Sequence, residues 1–206
     1  MLAVGVLVPY LLTCFAIELT PGPNMAYLAI LSIERGRTAG LVAVLGVALG
    51  LGVLGLLAGV GAGELIEQNR WLYETLRWAG VGYLCWLAWD SWRESRRDLD
   101  PQDAPARPAI YFRRGLITNL LNPKAILFYL TVMPGFTVAE LPLLLQVIGL
   151  AAIYVAVATL VHTSIVLGAS TLRPFLLAPD LRRWAGLLFA GMLLAIAVWI
   201  AVGAQR

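Results

Sequence analysis

The sequence predicts an all-α integral membrane protein. It should have six transmembrane helices arranged as a 3+3 inverted repeat, with helices 1 and 4 broken. Three observations predict this. The 206 residues are 60% hydrophobic and 13% charged, with a mean hydropathy of +0.82, whereas soluble domains carry about 25% charged residues. Two proline interruptions, Thr20-Pro21-Gly22-Pro23-Asn24 and Asn122-Pro123-Lys124, fall inside apolar segments and place Pro23 and Pro123 100 residues apart. Finally, Arg77-Trp78-Ala79-Gly80 recurs as Arg183-Trp184-Ala185-Gly186.

Six apolar segments, roughly 5–33, 39–63, 71–91, 114–134, 141–169 and 182–203, each approach the ~20 residues a spanning helix needs. The first is long enough to span with its break included. From Met1 to Ile33 its only acidic or basic side chain is Glu18. No basic n-region precedes this segment, so it is expected to be kept as a helix and not removed as a signal peptide. In the second, Gly46, Gly50, Gly52, Gly55, Gly59 and Gly63 include pairs at four-residue spacing that let helices approach closely. The third carries Arg77 and is the weakest, although an arginine near a helix end can snorkel to the interface. The fourth holds the second break, and the fifth holds His162 beside Thr159, Thr163 and Ser164.

The one long loop is rich in Arg, Asp and Pro and reads as a solvated linker. It divides a single domain, 1–206, into repeats 1–91 and 114–206 joined by the linker 92–113. Three spans per half is an odd number, so the second half enters from the opposite side and the repeat is inverted.

Charge placement sets the orientation. Arg35, Arg37, Arg93, Arg96, Arg97, Arg107, Arg113, Arg114, Arg173, Arg182 and Arg183 lie on one side. Arg70, Arg77 and Arg206 lie on the other. The positive-inside rule makes the first side cytoplasmic and leaves both termini outside. Trp71 and Trp199 fit an outer aromatic belt, and Trp89, Trp92 and Trp184 an inner one. The net charge of +3 therefore reflects short loops, not a nucleic-acid partner.

A helix cannot run unbroken through Pro-Gly-Pro. In lipid, the freed backbone groups must face protein or a wet cavity. Paired interruptions in corresponding halves point to a transporter's binding site. Pro23 and Pro123 can each open a half-helix, capped by Thr20 or Gly22 in the first case and by Asn122 in the second. The two half-helix N-termini would converge near mid-membrane. Each would carry about half an elementary positive charge, suited to a substrate carboxylate.

Polar side chains gather at the same depth: Glu18, Asn24, Thr118, Asn119, Asn122 and Lys124. An ionisable group inside a span points by default to function. Glu18 is a candidate to receive a substrate ammonium or to titrate as the coupling carboxylate. Lys124 is a candidate to join the anion site, to neutralise Glu18, or to form with it a purely structural pair. The candidate substrate-binding set is Glu18, Thr20, Gly22, Pro23, Asn24, Asn119, Asn122, Pro123 and Lys124. Glu18 and His162 are candidates for proton coupling, with His162 as a packing residue the alternative.

One histidine and few buried acids give little support to a metal site. No P-loop, cofactor motif or enzymatic constellation is present. Cys14 and Cys85 are single and read as small buried hydrophobes.

Leu19-Thr20-Pro21-Gly22-Pro23-Asn24, Arg35-Gly36-Arg37-Thr38-Ala39-Gly40-Leu41, Phe112-Arg113-Arg114-Gly115 and Asn119-Leu120-Leu121-Asn122-Pro123-Lys124-Ala125 together resemble the LysE/RhtB amino-acid exporter family. The resemblance runs through nearly the whole chain in order. It implies a bacterial inner-membrane secondary exporter of amino acids or related small metabolites, driven by an ion gradient, with the proton as the expected coupling ion. The expected partners are the amino-acid substrate, that ion and the lipid bilayer, with a homo-oligomer left open.

One departure stands out. Many family members carry an acidic residue after an Ala-Leu-Gly in the second span, but here Ala48-Leu49-Gly50 is followed by Leu51 and Gly52. Glu18 is the candidate replacement, and a less polar substrate is the other implication. Competing readings are transport of a metal ion or another small solute, and a membrane redox carrier or scaffold.

Overall fold

The computed structural model describes residues 4–20, 22–60, 70–95, 107–138 and 142–176, together with positions within 184–202. Among these residues all regular structure is helical. Helix α1 (Val4–Leu19) stops at the first break, and α2 (Pro23–Arg35) resumes after it at an angle of 58°. Gly36, at φ 86°, then turns the chain into α3 (Arg37–Gly59). That left-handed conformation favours glycine. Next come α4 (Arg70–Ser95) and α5 (Pro108–Leu120). After the second break α6 (Pro123–Leu127) runs on through a π turn (Phe128–Val132) into a 3-10 turn (Met133–Phe136). The bend here is 52°. Helix α7 (Leu143–Leu176) is the longest among the described residues.

By length and composition, α3 and the Leu143–Thr171 part of α7 can cross a membrane. Counting each bent pair as one span raises the number to four. Both expected breaks are therefore present, each flanked by helix. The segment expected as a loop, 92–113, is shorter, because α4 runs to Ser95 and α5 begins at Pro108. Pro108 sits at the first helical position, where its missing N–H costs no hydrogen bond. The Arg77 side chain, Gly63, Arg183 and Trp199 lie outside the described residues. Trp71, Trp89 and Trp184 are exposed, as belt residues would be, whereas Trp92 is half-buried and packs on Trp89.

Glycines set the closest approach. A Cβ on Gly46 would collide with the Phe112 carbonyl oxygen, and one on Gly115 with that of Ala43. Helices α3 and α5 thus meet backbone to backbone through reciprocal glycines, as small residues permit in membranes. A Cβ on Gly55 would come within 2.7 Å of the Ala151 methyl group, and one on Gly59 within 3.0 Å of Val147, so both glycines let α3 dock closely on α7. Gly52 has nothing within 4 Å. The expected packing role holds for Gly46, Gly50, Gly55 and Gly59 and fails for Gly52.

This contrast gives a direct test. Gly46→Val should destabilise the detergent-solubilised protein by about 1–3 kcal/mol or more, the usual cost of overpacking. Gly52→Val should leave the thermal midpoint nearly unchanged.

Candidate functional site

The site begins with how the two breaks are capped. Gly22, extended at φ −158°, precedes Pro23 at the first helical position of α2. The Thr20 hydroxyl does not cap α2. It donates instead to the Ala16 carbonyl at 3.0 Å, within the helix behind it. At the second break, the Asn122 side chain accepts from the Lys124 backbone N–H at 3.1 Å, as an N-cap should. The Ala125 and Ile126 amides both donate to the Asn122 carbonyl at 3.1 Å. The first amides of α6 are therefore already engaged. The expectation of two equal half-helix anion sites is corrected here, leaving α2 as the half-helix whose opening turn can face a ligand.

Side chains then tie the breaks together. Asn24, at the start of α2, donates through Nδ2 to Asn119 Oδ1 at 2.7 Å. Lys124, at the start of α6, donates through Nζ to the Thr20 carbonyl at 2.9 Å. That carbonyl belongs to the end of α1, where carbonyls lack helical partners and a cation is favoured. In each case the residue following a proline reaches the chain just before the other break.

Glu18 is buried at the end of α1. Its Oε1 accepts from the Tyr154 hydroxyl at 2.6 Å, and its Oε2 lies 3.3 Å from His162 Nε2. Both partners are buried residues of α7, eight positions apart. The Tyr154 ring stacks on Phe128 at 3.6 Å between centroids and meets Tyr129 edge-on at 5.5 Å. Phe128 and Tyr129 open the π turn behind the second break, and such turns are frequent at functional sites. A structural Glu18–Lys124 pair was one sequence expectation. The groups within hydrogen-bond distance of Glu18 are instead Tyr154 and His162, and Lys124 is engaged by Thr20.

One cavity collects these groups. It is lined by Glu18, Gly22, Asn24, Asn119, Asn122, Lys124 and His162, all foreseen in the sequence, and by Met25, Leu51, Ala125 and Tyr154, which were not. Its volume is about 10 Å³, room for about one water molecule. A larger solute needs the helices to part. Thr20 contributes its carbonyl and not its side chain. Pro23 is buried and acts through backbone shape, while Pro123 is seen only as the first residue of α6.

Thr118 turns away and donates to the Arg114 carbonyl at 2.6 Å. Tyr154 was missed because a lone tyrosine in an apolar helix looks like packing. Its eight-residue spacing from His162, close to two helical turns, was the available signal. Leu51, which follows Ala48-Leu49-Gly50, is buried against the cavity. Among the described residues no three His, Cys, Asp or Glu side chains are grouped to hold a metal. Cys14 is buried as expected, but Cys85 is exposed on α4.

Two bent helices that meet at their breaks around a buried polar cavity define a membrane protein of the solute-translocating kind. The family model for LysE type translocators matches residues 15–203, and the chain belongs to that family. It is 28% identical over 193 residues to the homoserine/homoserine lactone efflux protein of Salmonella typhimurium, covering 93% of this chain and 94% of the relative. It is 32% identical over 198 residues to an uncharacterized membrane protein of Pseudomonas aeruginosa, with 88% and 90% covered. The threonine efflux protein of Escherichia coli K12 is 32% identical over 123 residues, with 57% and 60% covered. No solved structure matches the chain.

The Asn24–Asn119 bond should be measurable as a coupling. In a double-mutant cycle of Asn24→Ala and Asn119→Ala, read by thermal unfolding in detergent, the interaction energy should fall at about 0.5–3 kcal/mol, the range for groups in contact. Strict additivity would mean that the two breaks are not joined through this pair.

Proposed function

We propose that this chain is a secondary-active exporter of amino acids or closely related small metabolites across the bacterial inner membrane. It works by alternating access around the cavity between the two breaks. The observation that carries this reading is the convergence of Glu18, His162 and Lys124 with both breaks on one buried cavity. An ionisable group held at such depth is costly unless it serves function.

The cavity's charges suit an α-amino acid. Lys124 and the opening turn of α2 would take the carboxylate, since the first amides of a helix lack partners within it and favour anions. Glu18 would take the ammonium or a proton. The Glu18–His162 contact of 3.3 Å lets one proton be shared between two groups, and Tyr154 holds the carboxylate in place. Coupling then follows if substrate ammonium and proton compete for Glu18. Relatives named for homoserine and threonine efflux support the amino-acid cargo.

The reciprocal contacts Asn24–Asn119 and Lys124–Thr20 support the inverted 3+3 arrangement. A two-fold relation makes the residue after each break touch the chain before the other. The arginine bias of the loops supports cytoplasmic loops after spans 1, 3 and 5 and both termini outside.

Gradient-driven efflux from proteoliposomes loaded with threonine or homoserine tests the reading. Glu18→Gln and His162→Leu should each lower the rate at least tenfold while the protein still inserts. Wild-type rates in both variants would reject Glu18 and His162 as coupling groups. No flux of any amino acid by the wild-type protein would reject the exporter.

A further inference from the structure

Half of the side-chain polar atoms of the Asn24–Asn119 pair lack a partner. Asn24 Oδ1 and Asn119 Nδ2 are both buried and both lack a partner. The two residues are 5% and 0% exposed, and both line the cavity. Buried polar atoms are nearly always satisfied, so each exception calls for an explanation. Here the exceptions come as a set of one acceptor and one donor, on two side chains already bonded to each other at 2.7 Å.

The complement does not depend on how the amides are oriented. If both were turned over, Asn119 Nδ2 would donate to Asn24 Oδ1. Asn24 Nδ2 and Asn119 Oδ1 would then be the unpaired atoms, still one donor and one acceptor.

A hydroxyl group matches this complement, because it donates one hydrogen bond and accepts others. A methyl or methylene group matches neither atom. Of the other polar side chains on the walls, Asn122 caps α6 and Tyr154 and His162 are set on Glu18, while Met25, Leu51 and Ala125 are apolar. Space is also limited. The cavity admits about one oxygen-sized group as it stands. Gly50 leaves Asn119 its position: a Cβ there would come within 2.9 Å of Nδ2 and 3.0 Å of Cβ of that asparagine.

We propose that Asn24 and Asn119 form the specificity-determining subsite of this exporter and recognise a hydroxyl on the side chain of the transported amino acid. The proposal rests on the exporter reading given above. The substrate's carboxylate lies toward Lys124 and its ammonium toward Glu18. Its side-chain hydroxyl then donates to one asparagine and accepts from the other. An analogue with a methyl in place of the hydroxyl buries both amide atoms unpaired. A site built to bond a hydroxyl rejects such an analogue far more strongly than an apolar pocket rejects an extra methylene.

The test compares near-isosteric pairs in proteoliposomes of the wild-type protein: threonine against valine, and homoserine against norvaline. Transport efficiency, the maximal rate divided by the half-saturating concentration, should favour the hydroxylated member of each pair at least tenfold. In Asn119→Leu that preference should shrink tenfold or more in ratio, a change that general loss of folded protein would not produce. Equal wild-type efficiencies within each pair would overturn the hydroxyl subsite while leaving an amino-acid exporter in place. No flux for any of the four would overturn the hydroxyl subsite, and no flux of any amino acid would overturn the exporter reading as well. An unchanged ratio in a folded Asn119→Leu would also overturn the subsite.

Discussion

A helix broken inside a membrane leaves backbone groups that lipid cannot satisfy. This chain contains two such breaks, and side chains tie each one to the other. Lys124 Nζ bonds the Thr20 carbonyl at the end of α1, and Asn24 bonds Asn119 at the end of α5. Much else depends on that mutual satisfaction. It brings the two breaks together, and α3 passes close to α5 beside them. The glycines at 46 and 115 make that close passage possible. The polar centre and the small-residue seam are therefore two parts of one solution.

Burial of Glu18 follows from the same geometry. A carboxylate at this depth needs partners, and α7 provides both from one face, Tyr154 and His162. The Tyr154 ring lies on the π turn that follows the second break. One residue thus touches the acid near the first break and the irregular backbone beyond the second. Glu18 is linked to the π turn by one hydrogen bond and one ring stack.

The breaks themselves were the most legible part of the sequence, because proline and glycine act through local backbone geometry. Pro23, Asn122 and the bends at both sites follow from the chain alone. Seven of the cavity residues were foreseen because polar groups are conspicuous in an apolar background. Apolar walls such as Leu51 and Met25 carry no such contrast, and Tyr154 is marked in the sequence only by its eight-residue spacing from His162. Pairing was also hard to read. The sequence offered Lys124 as a partner for Glu18, since opposite charges attract, whereas the fold spends Lys124 on a helix-end carbonyl. Likewise, Asn122 was recognised as a cap, but the engagement of the α6 amides by its carbonyl depends on a tight turn that composition does not specify. Loop length was overstated at 92–113 because arginine-rich helix ends look like linker.

The central claim is that the cavity between the breaks binds an amino acid through Glu18 and Lys124. Ligand-dependent thermal stability of the purified protein tests it most directly. A binder raises stability by mass action, by about 2.7 kcal/mol at a hundredfold excess over its dissociation constant. Threonine or homoserine should raise the melting temperature of the wild-type protein in proportion to the logarithm of its concentration, and should do so far less in Glu18→Gln and Lys124→Met. An equal rise in all three proteins, or none in the wild type across the amino acids, would contradict the claim.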